Sequence, residues 1–186
     1  MVIIMKKNRA NRLFPLVVIL IILVYVYGSN IGKVQPILDQ SIGKHNVGEI
    51  TDGTEITQSF YSPVNNVSGI SVKLGTYMRQ NKGKLTIGIK SYDNNRIIYS
   101  TTVKAESIID NNYFDYRFPP IKNSKDNKYN LFIYSEGSSN GDSITAYISN
   151  QNIYKHGDLY INGSELQGEL VFKVHYNKTL FNLIGL

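Results

Sequence analysis

The sequence predicts an all-β fold, an antiparallel sandwich of two sheets preceded by one N-terminal apolar helix. Three observations carry that prediction. Hydrophobic and polar residues alternate with a period of two through most of the chain after residue 45. The alternating runs are short, rich in β-branched and aromatic side chains, and bounded by turn residues. A single charge-free stretch, residues 13–27, stands apart near the N-terminus.

Taken in order, residues 1–12 hold Lys6, Lys7, Arg9 and Arg12 and no acid, and read as a basic cytoplasmic segment. A basic stretch followed by an apolar one directs export, with the basic side retained in the cytoplasm. Met5, just ahead of Lys6, is the expected initiator. The fifteen residues 13–27 make about 22 Å of helix, the length of a signal-peptide core and short of a ~30 Å hydrocarbon layer. Arg12 is placed to snorkel, and Tyr25 and Tyr27 to lie in an interfacial belt, as in a retained transmembrane anchor. Val26-Tyr27-Gly28 is the nearest approach to a cleavage site. Two outcomes therefore stand: a single-pass cell-membrane protein with its C-terminal domain outside, or a protein secreted after signal cleavage.

Residues 28–45 turn to Gly, Ser, Asn, Gln and Pro36 and read as a spacer, with a short apolar patch at Val34, Ile37 and Leu38. The sandwich is expected over residues 46–178, and residues 179–186 as a tail. Its strands show in the alternation of Ile70, Val72 and Leu74, of Leu85, Ile87 and Ile89, and of Phe114, Tyr116 and Phe118. The same pattern recurs in Ile144, Ala146 and Ile148, and in Phe172, Val174 and Tyr176. Asp93-Asn94-Asn95 between two runs predicts a hairpin, and Glu106-Ser107-Ile108-Ile109 a single helical turn. About nine or ten strands at this spacing suit two sheets with one face of each packed inward.

The formal charge of +6 does not point to nucleic acid. Four of the 20 Lys and Arg residues precede the apolar run, leaving 16 basic against 14 acidic residues, a net of +2. A nucleic-acid partner needs a basic stripe in the folded part. The chain has no cysteine, which excludes a disulfide framework, a thiolate metal site and a thiol nucleophile.

The run Gln58-Ser59-Phe60-Tyr61-Ser62-Pro63-Val64-Asn65-Asn66-Val67-Ser68-Gly69-Ile70, with Thr76-Tyr77, Lys84-Leu85-Thr86-Ile87, Ile109-Asp110-Asn111-Asn112-Tyr113-Phe114 and Phe118-Pro119-Pro120-Ile121, carries a resemblance. In order and texture this set resembles extracytoplasmic, carbohydrate-binding-like jelly-roll modules associated with prokaryotic membrane glycosyltransferases of surface polysaccharide pathways. It would span roughly residues 46–176. The resemblance implies a jelly roll outside the membrane. The transferase's activity is not carried over with it, since no multi-spanning catalytic portion is expected in this sequence.

Several motifs bear on chemistry. Gly137-Ser138-Ser139-Asn140-Gly141 matches the letters of a nucleophile elbow, but that device needs a strand before it and a helix after it, and here a strand follows. A flexible hairpin tip is the expectation. His45, His156 and His175 have no partner at i+2 or i+4 and read as solvated surface histidines. The clusters Asp93-Asn94-Asn95, Asp110-Asn111-Asn112 and Asp126-Asn127 read as turn formers. Asp110 is the one residue held as a candidate ligand of a structural calcium; otherwise no cofactor is expected. Glu136, Asp142, Asp158, Glu165 and Glu169 supply carboxylates, and nothing in the sequence pairs two of them across a cleft.

Fourteen tyrosines and no tryptophan suggest a sugar-binding surface, since a tyrosine ring offers an apolar face and a hydroxyl edge. Tyr77, Tyr92, Tyr99, Tyr154 and Tyr160, at strand ends and near loops, are the candidate ligand contacts. The expected function is a non-enzymatic membrane-tethered module that binds glycan or assists surface-polysaccharide assembly. A structural or protein-interaction module of the cell envelope is the alternative, and a small hydrolase the third.

Overall fold

The computed structural model describes residues 10–183, with side chains for residues 13–181. Met5, Lys6, Lys7 and Arg9 lie outside the described residues, as do residues 184–186 of the expected tail. The described residues open with α1 (Ala10–Asn30), followed by β1 (Gly32–Gln40), β2 (His45–Asn46), β3 (Glu55–Ser62), β4 (Val67–Gly75), β5 (Lys84–Ser91) and β6 (Ile97–Lys104). A 3-10 turn at Ala105–Ser107 leads to β7 (Asn112–Ile121), β8 (Asn127–Glu136), β9 (Thr145–Ser149), β10 (Leu159–Ile161), β11 (Ser164–Leu166), β12 (Glu169–Leu170), β13 (Phe172–Thr179) and α2 (Leu180–Leu183).

Two compact units result: the sandwich, Val34–Asn177, and the chain on either side of it. In the second unit α1 runs three residues past the predicted apolar stretch. Ser29 Oγ donates to Tyr25 O at 2.6 Å and Asn30 Nδ2 to Val26 O at 2.8 Å, so the polar side chains at the helix end bond the helix itself. Its 21 residues span about 31 Å, enough to cross a hydrocarbon core of ~30 Å. Nearly all of its apolar side chains from Leu13 to Tyr27 are exposed. A helix of this length and composition is suited to a membrane anchor or a signal sequence. Within the same unit the Phe181 ring of α2 lies 6.1 Å from that of Tyr25.

The sandwich is built as the period-two alternation predicts. One sheet orders its strands β11-β10-β3-β8-β5-β6; the other runs β1-β13-β4-β9-β12, with β7 beside β4 and β2 beside β9. Strands pair antiparallel, and most connections cross from one sheet to the other, as in a jelly roll. Where β4 and β9 diverge, the last strand enters between them. Val171 marks that fork, its N–H donating to Tyr147 O at 2.8 Å and its carbonyl accepting from Lys73 N at 2.9 Å.

Register puts Ile56, Ile133 and Ile87 in one row across β3, β8 and β5, and Gln58, Leu131 and Ile89 in the next. These meet Ile70, Val72 and Leu74 of β4 and Phe172 and Val174 of β13 in a single buried core. The hairpin expected at Asp93-Asn94-Asn95 joins β5 to β6, with Asn95 at φ 56° and Ser91 N–H donating to Arg96 O at 2.9 Å.

Two expectations are corrected. Residues 28–45 are not a spacer: they hold the end of α1, all of β1 and the start of β2. Their Gly, Gln and Pro content suggested loop, but Ile37 and Leu38 pack on the core, and Pro36 is tolerated because β1 is an edge strand. His175 is not solvated but 8% exposed, although it points outward from the sheet. Gly69 lies opposite it and has no side chain; a Cβ there would stand 2.7 Å from Arg117 Cδ, so the glycine lets Arg117 lie across this face.

Candidate functional site

A cleft of about 430 Å³ opens beside β1 and the 150–158 loop that joins β9 to β10. Its volume falls in the ~300–1,000 Å³ range of small-ligand sites. Ile37, Leu38, Asp39 and Gln40 come from β1, Tyr61 and Pro63 from the end of β3, and Ile153, Tyr154 and His156 from the loop. Each enters for a local reason. Tyr61 sits on the outward side of β3, between the inward Phe60 and Ser62. The loop folds back over it because Gly157 permits close approach: a Cβ there would lie 1.9 Å from Ser59 O.

The loop is then pinned at three points. Tyr61 N–H donates to the Tyr154 hydroxyl at 2.9 Å. Asp158 N–H donates to Ser59 Oγ at 2.8 Å, and Ser59 N–H returns a bond to Asp158 O at 2.9 Å. Tyr154 N–H donates to Glu169 Oε1. The aromatic groups converge: His156 lies 5.9 Å from Tyr154 and 6.4 Å from Tyr61, and Tyr154 meets Phe172 edge-on at 6.1 Å.

The electrostatics are unusual for so small a site. Glu169 is fully buried at the root of the loop, and its Oε2 has no hydrogen-bond partner. Burial raises its carboxyl pKa above the ordinary value, against the pull of the Tyr154 N–H. The Tyr61 hydroxyl donates to Asp126 Oδ1 at 2.5 Å, and that bond raises the Tyr61 pKa. Asp39, the one carboxylate lining the cleft, is paired with Lys173 Nζ at 2.9 Å.

Of the five tyrosines expected to contact ligand, only Tyr154 reaches this cleft. Tyr160 lies opposite Thr57 on the six-stranded sheet, and Tyr92, just past the end of β5, has Lys128 Nζ 5.3 Å from its ring centre. Tyr99 points inward opposite Ile89 and stacks on Phe118 at 5.1 Å. Tyr77 stands on a separate loop at φ 56°, its ring 4.9 Å from the Arg79 guanidinium carbon. Tyr61, His156, Asp39 and Gln40 were missed. Their meeting depends on contacts between stretches roughly a hundred residues apart, and Asp39 and Gln40 lay in the expected spacer.

The remaining candidates are structural. Asp110 accepts from Thr76 N–H at 2.6 Å and from its hydroxyl at 3.0 Å. These bonds, the Thr76 N–H first, hold its carboxyl below the ordinary range and make it a staple for the strained turn at Tyr77 and Met78, both at φ 56°. No group of three or more His, Cys, Asp or Glu gathers among the described residues. The 137–141 loop is a bonded turn rather than a loose tip. Ser138 Oγ is buried against Ser135 Oγ at 2.8 Å, Gly137 N–H donates to Asp52 at 2.6 Å, and Gly141 N–H to Glu49 at 2.7 Å. No protein-family model matches the chain, and no curated protein is significantly similar to it.

Proposed function

We propose that the sandwich is a non-catalytic glycan-binding module held outside the cell membrane by α1, serving surface-polysaccharide assembly. The observation that carries this reading is the convergence of Tyr61, Tyr154 and His156 on one cleft with the exposed Asp39 at its edge. Such a site pairs ring faces for sugar C–H surfaces with side chains able to bond hydroxyls. Two features support a binding rather than a hydrolytic role. Hydrolysis of a glycosidic bond needs two carboxyl groups facing across the substrate. Here the lining carboxylate is tied to Lys173, and Glu169 is sealed beneath the loop.

The length of α1 and its helical continuation through Val26-Tyr27-Gly28 favour a retained anchor over a cleaved signal. The mass of the protein recovered from membranes tests this directly: a chain beginning near residue 28 would refute it. The glycan reading is tested by presenting the detergent-solubilised chain to a glycan array. His156→Ala is expected to weaken any binding while leaving the unfolding midpoint unchanged, because the side chain is exposed. An array without a single bound glycan would defeat the proposal.

A further inference from the structure

We infer that the glycan taken by the cleft is anionic, its negative substituent held in a second, cationic cavity adjoining the first. The inference rests on the glycan reading above and adds the chemical class of the ligand. The second cavity, about 520 Å³, is lined by Lys44, His45 and Lys73 with the hydroxyls of Ser41 and Ser149, and no Asp or Glu lines it. Neither lysine forms an ion pair among the described residues. That is the reverse of the first cleft, where Lys173 neutralises Asp39.

The two cavities are built from the same two stretches of chain. Gln40 lines the first and Ser41 the second; Gln151 lines the second and Ile153 the first. Gln40, 4% exposed, lines the first and donates from Nε2 to the carbonyl of Ile42, which lines the second, at 2.9 Å. Lys73 is steadied with its Nζ 4.6 Å from the centre of the Tyr147 ring, so its charge is directed rather than free to wander. Ammonium groups without an ion-pair partner, gathered in one concave site, raise the local concentration of anions. A polymer whose sugar ring fills the aromatic cleft would place a neighbouring carboxylate, sulfate or phosphoryl group against Lys44 and Lys73. A neutral polymer gains nothing there.

The test is a glycan array in which neutral glycans are paired with uronate-, sulfate- and phosphate-bearing counterparts, probed with the full chain in detergent. The best pair is then titrated calorimetrically at low and high salt. The charged member should bind more tightly, and added salt should erase the preference. Replacing Lys44→Gln and Lys73→Gln together should weaken the charged member by roughly tenfold or more and leave the neutral one unchanged. Lys44→Gln alone, at an exposed side chain, keeps the test valid if the double variant misfolds. Equal binding of both members would overturn the inference and leave the glycan reading standing. So would a charge preference that the variants do not touch, or displacement of the charged glycan by a soluble short-chain phosphatidylglycerol. No binding of either member would defeat both readings.

Discussion

Replacing His175 by glutamine removes a titrating group from under Arg117 and gives a pH-dependent change in stability whose sign and size follow from the fold. The imidazole Nε2 lies 2.8 Å from Ser71 Oγ, and Ser71 also donates to Asp115. Burial and then the Arg117 charge lower the His175 pKa from 6.5 to about 4, with Asp115 opposing them and Lys173 assisting. The folded state therefore favours the neutral ring. Below pH 6.5 the unfolded chain takes up a proton that the folded chain refuses, so stability falls until the folded group titrates near pH 4. At 1.36 kcal/mol for each pKa unit, the loss on this account reaches up to about 3 kcal/mol.

Urea unfolding of the full chain in detergent, followed by the β-sheet circular dichroism at pH values from neutral to 4, measures it. The wild-type chain should lose stability relative to His175→Gln across that window, whatever the offset between them at neutral pH. Other titrating groups are common to both chains and cancel in the difference. A difference that stays flat from pH 7 to pH 4 would refute the account of His175 as a neutral buried group.

Glu169 has the opposite sign: its folded pKa is raised above 4.5, so its burden on the fold grows as pH rises from 4.5 through the folded value. Glu169→Gln, which keeps an oxygen for Tyr154 N–H, should raise the unfolding midpoint at pH 7 and lose that advantage below pH 4.5. Asp110→Ala should destabilise the fold by about 1–2 kcal/mol in urea at neutral pH, with Asp110→Asn recovering part of it, because the turn at Thr76 loses its acceptor. Gly157→Ala should disrupt the cleft by forcing the 150–158 loop away from Ser59 O; unchanged ligand affinity and an unchanged unfolding midpoint would show that the loop does not need glycine.

The strands were legible because alternation is local. Ile70, Val72 and Leu74 declare their inward face within five residues, and the same rule places Leu85, Ile87 and Ile89. β1 was not legible, since Pro36 and its polar neighbours break the alternation while Ile37 and Leu38 still reach the core. The cleft was less legible still. Tyr61 gains its neighbours only when Tyr154, 93 residues later, turns its hydroxyl to the Tyr61 N–H. No spacing rule encodes that meeting. His175 failed for a related reason: an outward strand position predicts solvent, and only the missing side chain at Gly69, far away in sequence, allows Arg117 to cover it.

The sheet edges bear on the competing idea of a protein-interaction module. A partner that adds a strand needs an open row of backbone donors and acceptors. At the β6 edge the Tyr116 hydroxyl donates to Ser100 O at 2.9 Å and occupies one of those acceptors. Among the described residues β7 pairs with β4 alone, and Pro119-Pro120 removes two donors from its run. β1 carries Pro36 and the Asp39–Lys173 pair, and β11 is three residues long. Each of these four edges is thus shortened, capped or stripped of donors, which disfavours strand addition there. A partner for this domain is better sought where side chains rather than backbone groups face outward, and the aromatic cleft and its cationic neighbour are two such concavities.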